Sequence, residues 1–296
     1  KTLTMKGVTV SVGNGKHAIW NESIKGLTIV VSGTNRLESN IVVLYAAASI
    51  EIKGRGSLTV INNSNANIGI YLASSNTTVT ISDISLEVSG KWGISGEPSK
   101  TDQALILKNA RITASGTDAA IEDFTSFTTE GCEIVEPAGG KFDKTKHAVV
   151  DAEGNVAKEV KIAPIEKYGL YIAGTQVTAD NCNNLKDITG VTVAEGGEFK
   201  YDPATTTLTM KDVKVQVGNG KNAIFNRDIV GLKIVVSGTN SLETTDYPSL
   251  AIGVPTFIEG GGTLKTISAS VSAGIYVNKT TLTISDITLE ASGKFG

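Results

Sequence analysis

Apolar and polar residues alternate along most of the chain, and the alternation is interrupted every few residues by Gly, Asn, Asp or Ser. In Leu3-Thr-Met-Lys-Gly-Val-Thr-Val-Ser-Val12 the period is two and β-branched residues are frequent, the mark of a strand with one buried face. Gly13-Asn14-Gly15 reads as a turn, because Gly and Asn tolerate positive φ. A short Ala18-Ile-Trp20 follows, then Leu27-Thr-Ile-Val-Val31, a Ser-Gly-Thr-Asn35 turn and Leu37-Glu-Ser39. The same phrase returns with strand starts near residues 3, 27, 49, 78, 105 and 127, spaced 22 to 29 apart. No segment keeps a 3.6-residue apolar period, which disfavours helices.

A period in the twenties, made of short strands and turns, predicts a solenoid coil. One such coil cannot bury its own apolar face. Stacking coils about 4.8 Å apart buries a continuous core and pairs every strand in parallel. The predicted class is all-β: a right-handed parallel β-helix of about six coils over residues 1 to about 140, its hand following the crossover rule.

A longer repeat overlies the short one. Thr2–Glu38 recurs as Thr207–Glu243, 205 residues later, as Leu3 and Leu208 show. Extended to Ser39 and Thr244, the window holds 38 aligned pairs, of which 27 are identical. That length of ungapped match is a duplication. Residues 147–162 hold two alternating strands around Glu153-Gly-Asn155, predicting a hairpin cap over the open end of the first helix. Residues 168–205 have no counterpart in the first copy and read as the N-terminal cap of the second helix. Tyr168–Thr178 is a strand pair or one long strand, and Gly197–Met210 is a hairpin. The predicted domains are therefore residues 1–163, lacking an N-terminal cap, and residues 164–296, lacking the last coils. The chain reads as a window onto a longer tandem array.

Composition narrows the partners. The 27 basic and 30 acidic residues give a net charge of −3, so nothing favours nucleic acid or an anionic membrane. The longest apolar run, about Ile41–Ile50, is too short to span a bilayer. Cys132 and Cys182 are not equivalent in the duplication and read as free buried thiols rather than a disulfide. Among the familiar chemical signatures HExxH, CxxC, the P-loop and GxGxxG are all missing from the sequence, and neither a metal nor a cofactor is expected.

The phrases Tyr168-Gly-Leu-Tyr-Ile-Ala-Gly-Thr-Gln-Val-Thr178, Lys200-Tyr-Asp-Pro-Ala-Thr-Thr-Thr-Leu-Thr-Met210, Val-Ser-Gly-Thr-Asn240 and Gly274-Ile-Tyr276 resemble secreted repeat proteins of anaerobic gut bacteria. The architecture is also similar to non-catalytic, carbohydrate-binding β-helical surface proteins. The resemblance covers nearly the whole chain. It implies an extracellular or cell-surface protein and places no catalytic residue.

The β-helix also carries polysaccharide lyases and hydrolases, but fold alone does not confer their activity. The arginines Arg36, Arg55 and Arg111 are not kept in the second unit. Asp83 and Asp286, in Ile-Ser-Asp-Ile, read as bend residues. Glu38, Glu243, Glu87 and Glu290 read as an exposed strand face, and His17, replaced by Asn222, as a solvated turn residue. Alternation points Ile70 inward and Tyr71 outward, and the same parity turns Trp20 outward. Tyr45 is placed in the same column, and Phe225 and Tyr276 occupy the matching positions of the second unit. Trp92 and Phe295 have the wrong parity and read as coil-corner core residues. An aromatic column at coil spacing matches successive sugars of an extended glycan; its rings could equally pack on one another. The expectation is a non-catalytic module binding a polysaccharide or glycoprotein glycan through Trp20, Tyr45, Tyr71, Phe225 and Tyr276. A rigid structural stalk is the first alternative and a pectate-lyase-like lyase or hydrolase the second.

Overall fold

Stacked aliphatic ladders build the molecule. In the computed structural model, Ile29, Ile52, Ile81 and Leu107 follow one another in hydrogen-bonded register, and all are fully buried. Each removes roughly 2 kcal/mol worth of apolar surface from water. Their strands belong to one six-stranded parallel sheet, ordered Thr2–Lys6, Leu27–Ser32, Ile50–Lys53, Thr78–Ser82, Ala104–Lys108, Ser126–Glu130. Every start lies within a residue of the predicted one. The fold is the expected parallel β-helix. All residues are described except Asn14, Asn65, Asn219, Val271 and Gly296. The centre of the predicted Gly13–Gly15 turn and the last residue of the predicted second domain thus lie outside the described residues.

The chain divides into two compact units, Lys1–Ile165 and Glu166–Gly296. In the first, a second face carries the ladder Val10, Leu37, Val60, Val88, Ala114. The corner between the first two faces is left-handed at Gly33, Asp83 and Asn109, with φ of 64°, 54° and 46°. Residues with short polar side chains or none adopt that conformation at least cost. Asn35, just beyond the corner, is buried rather than a surface turn residue. Its Oδ1 accepts from the Val8 N–H at 2.9 Å, and its Nδ2 donates to Ser32 O at 2.9 Å and Ser57 O at 3.3 Å. One side chain therefore pins three coils. A third face is formed by Ile19–Asn21, Leu44–Ala46, Ile68–Leu72 and the ends of Ser85–Gly96 and Arg111–Glu122.

The end of this unit departs from the expected hairpin. The turn at Asp151–Asn155 forms, with Asp151 N–H donating to Asn155 O at 2.9 Å. The arms stay joined through Val150 opposite Val156, with Ala157 N–H donating to Val149 O at 2.9 Å, and then separate. Ala148–Val150 pairs with Lys141–Asp143, while Glu159–Pro164 inserts antiparallel between Arg111–Glu122 and Cys132–Glu136. The inserted strand satisfies two sheet edges at once and buries Ile162 between Ile112 and Ile134.

The second unit opens with two antiparallel pairs. Lys167–Ile172 and Thr175–Thr178 form a hairpin through Ala173-Gly174, so this segment is a strand pair. Lys167–Ile172 then pairs antiparallel with Ile224–Asn226. Val191–Asp202 pairs with Thr207–Val217 from Asp202↔Thr207 onward. Cys182 and Leu185 are buried beneath these pairs, and both Cys132 and Cys182 are free thiols. The coils of the second unit repeat the first, including the Asn35 clasp: Asn240 accepts from the Val213 N–H at 3.0 Å and donates to Ser237 O at 2.8 Å. Phe295 lies on the last described coil, where no described strand covers it, and it is 63% exposed. Trp92 is half-buried, with the Lys91 ammonium 4.3 Å from its ring centroid. No helix is long and apolar enough to cross a membrane among the described residues.

Candidate functional site

The third face gathers the predicted aromatics within each unit. In the first, Trp20, Tyr45 and Tyr71 are hydrogen-bonded register partners on consecutive coils. Their rings do not lie flat. Trp20 meets Tyr45 edge-on at 87° with centroids 6.2 Å apart, and Tyr45 meets Tyr71 at 54° and 5.8 Å. Edge-to-face contact satisfies the ring quadrupoles, and Trp20, on the first described coil of this face, is 62% exposed. His17 joins this group instead of standing in solvent. Its Nδ1 lies 2.7 Å from Val42 O, which holds the ring 5.4 Å from Tyr45 and 5.7 Å from Trp20. The carbonyl accepts, so Nδ1 carries the proton.

The same column continues into carboxylates. Tyr71 is in register with Ser95, and Ser95 with Glu122. The Tyr71 hydroxyl donates to Glu97. Burial, and then the Glu97 carboxylate, raise the tyrosine's pKa, and the same hydrogen bond lowers that of Glu97. Burial, aided by the negative charges of Asp123 and Asp118, pushes Glu122 up to about 7. Burial also raises Asp123, opposed by the Ser95 hydroxyl and by His147. Sequence reading missed this group. Its members are about a coil apart in the chain, and only the coil length brings them together.

The second unit builds a different surface from the same plan. Phe225, Ala251 and Tyr276 are successive register partners. Phe225 corresponds to Trp20 and Tyr276 to Tyr71, whereas Ala251 takes the place of Tyr45. The missing ring leaves a cleft of about 360 Å³ floored by Ala251 and walled by Phe225, Tyr276, Tyr247 and Arg227. Tyr247 comes from a loop one residue longer than its counterpart: Thr244 to Leu250 spans six positions where Ser39 to Leu44 spans five. Asn222 occupies the His17 position and keeps its bond, donating to Pro248 O at 2.7 Å. Behind the cleft the cap supplies Tyr171, stacked on Phe225 at 27° with centroids 5.9 Å apart. Arg227 lies over Tyr171, donates to its hydroxyl, and pairs with Asp228. Tyr171 and Tyr247 carried no signal in the duplication, since one belongs to the unmatched cap and the other to the lengthened loop.

Among the described residues no cluster of His, Cys, Asp and Glu is arranged to hold a metal ion. Comparison of the chain with protein-family models, with curated proteins and with solved structures gives no match.

Proposed function

We propose that the protein is a non-catalytic glycan-binding module working outside the cell or at its surface, and that the cleft of the second unit receives the sugar. The observation that carries this reading is the replacement of Tyr45 by Ala251. It opens a ring-sized gap between two aromatic walls that stand two coil steps apart. Such a gap suits a sugar: aromatic faces meet the C–H faces of the ring, and a few polar groups fix its orientation. Asn278 and Arg227 are at hand for its hydroxyls. The resemblance to carbohydrate-binding β-helical surface proteins points the same way.

The test is retention on a glycan array and on insoluble polysaccharides. Phe225→Ala and Tyr276→Ala are expected to abolish it. If both variants bind like the wild type, the cleft is not the site; if the intact chain binds no glycan, the stalk reading takes its place.

A second reading is favoured by one feature. Glu122, pushed up to about 7 beside Asp123 at the end of the aromatic column, has the proton affinity of a general acid at neutral pH. Release of reducing ends from polysaccharide by the intact chain, lost in Glu122→Gln, would establish a hydrolase.

A further inference from the structure

The corner of the first unit carries a second surface of different chemistry. The chain's arginines are Arg36, Arg55, Arg111 and Arg227. Arg36 pairs with Glu38, and Arg227 with Asp228. Arg55 and Arg111 have no carboxylate partner among the described residues, and both line one open groove of about 420 Å³. Asp83 and Asn109 lie in the same groove, as does Pro164 at its edge.

The coils set the order of these groups. Ser85 is hydrogen-bonded in register to Ser57 on one side and to Arg111 on the other. The coil of Arg55 and the coil of Arg111 therefore flank the coil of Asp83. Two coil steps separate the guanidinium-bearing coils, about 10 Å at the spacing of neighbouring strands. The groove presents cation, anion and cation on three successive coils, with Arg111 two residues further along its coil than Asp83 on its own.

Folding does not require Arg55. Its turn is set by the flanking glycines: Gly54 has φ 132°, and a Cβ there would sit 2.1 Å from Val31 O. The second unit builds the matching turn, with Gly260 at φ 135° and 2.1 Å from Val236 O, and places Gly261 where Arg55 stands. A guanidinium held out by a turn that forms equally well without it, and in no ion pair among the described residues, is available to a ligand. Guanidinium is the side chain best suited to carboxylate and sulfate, through paired N–H donors.

We propose that this groove binds an acidic polysaccharide in which charged and neutral sugars alternate. One coil matches about one sugar of an extended chain. Carboxylates two sugars apart then meet Arg55 and Arg111, while the neutral sugar between them donates its hydroxyls to Asp83. A chain charged at every sugar sets a carboxylate against Asp83 and is disfavoured by like-charge repulsion. The site lies in the first unit and does not depend on the cleft of the second.

The experiment titrates the intact chain with a hyaluronan octasaccharide, an oligogalacturonate of the same length and a neutral cello-oligosaccharide, by calorimetry at low and moderate salt. Hyaluronan is expected to bind, more weakly as salt rises, and the neutral oligosaccharide is expected not to compete at this groove. Arg55→Gln and Arg111→Gln are each expected to weaken hyaluronan binding at least about tenfold, the worth of one lost charge-assisted pair. Asp83→Asn is expected to raise oligogalacturonate affinity towards that of hyaluronan. Both arginines are exposed, so loss of fold does not confuse the readout; circular dichroism checks it. Absence of hyaluronan binding, or binding unchanged in the Arg55→Gln/Arg111→Gln double variant, overturns the proposal. Equal affinity for both acidic chains in the wild type overturns the alternation.

Discussion

Ala251 stands in the second unit where Tyr45 stands in the first. Both are central on the third face, Tyr45 between Trp20 and Tyr71 and Ala251 between Phe225 and Tyr276. A tyrosine at 251 already has a precedent in this fold, so its backbone is compatible. Ala251→Tyr is expected to fill the cleft, abolish glycan retention through it, and leave the melting temperature within a few degrees of wild type. The reciprocal Tyr45→Ala is expected to open a new cleft beneath Trp20 and to cost stability through lost ring contacts, about 1–2 kcal/mol. Unchanged binding by Ala251→Tyr would separate the cleft from the function.

The coil stack was legible in the sequence because its cause is local. Period-two alternation and positive-φ residues recur within each coil, so strand starts fall where the pattern puts them. Pairing between distant segments has no such trace. Glu159–Pro164 reads as a hairpin arm from its neighbours, yet it is captured by the two edges at Ile112 and Ile134. The candidate site divides in the same way. Outward parity gave Trp20, Tyr71, Phe225 and Tyr276. Tyr171 arrives from an antiparallel cap, Tyr247 from a lengthened loop, and His17 is drawn inward by the Val42 carbonyl. These depend on three-dimensional neighbours that the repeat does not encode.

The Asn35 and Asn240 clasps offer a test of what the duplication preserves. Removing the Asn240 side chain leaves the buried Val213 N–H without its acceptor and the half-buried Ser237 carbonyl without its donor. Asn240→Ala is expected to destabilise the second unit by about 3 kcal/mol. Asn240→Asp keeps the acceptor and loses the donors, so it also destabilises, most at neutral pH where the buried carboxylate is charged. Urea unfolding curves of the two variants check both statements. Wild-type midpoints would show that backbone rearrangement or water replaces the clasp.

Adjacent glycines in one turn are predicted to behave oppositely. Gly260 has φ 135°, and a Cβ there would lie 2.1 Å from Val236 O; Gly261 has nothing within 4 Å of its virtual Cβ. Gly260→Ala is expected to cost more than about 2 kcal/mol. Gly261→Ala is expected to be neutral or to stabilise by up to about 1 kcal/mol, since it restricts the unfolded chain without straining the fold. Thermal unfolding of the pair reads the contrast. The run Gly260-Gly261-Gly262 alone does not tell these positions apart, because the sequence holds no record of which Cβ would meet a neighbouring coil.

Glu122 links the end of the aromatic column to pH. Its carboxyl is pushed up to about 7 by burial and by Asp123 and Asp118, against the pull of Lys91. In the unfolded chain it ionises near 4.5. Between those values the folded state holds a proton that the unfolded state has lost, so folding stability falls as pH rises through about 4.5 to 7. Below that window the contribution is fully present; above it the ionised carboxylate is a buried cost. Glu122→Gln removes the titration. The variant's melting temperature relative to wild type is therefore expected to climb from pH 5 to pH 8. An NMR titration of the Glu122 side-chain carboxyl carbon is expected to give a midpoint well above the ordinary glutamate range. A midpoint near 4.5, or a variant whose relative stability is flat with pH, would mean that water reaches this carboxylate freely, and the general-acid reading of the first unit would fall with it.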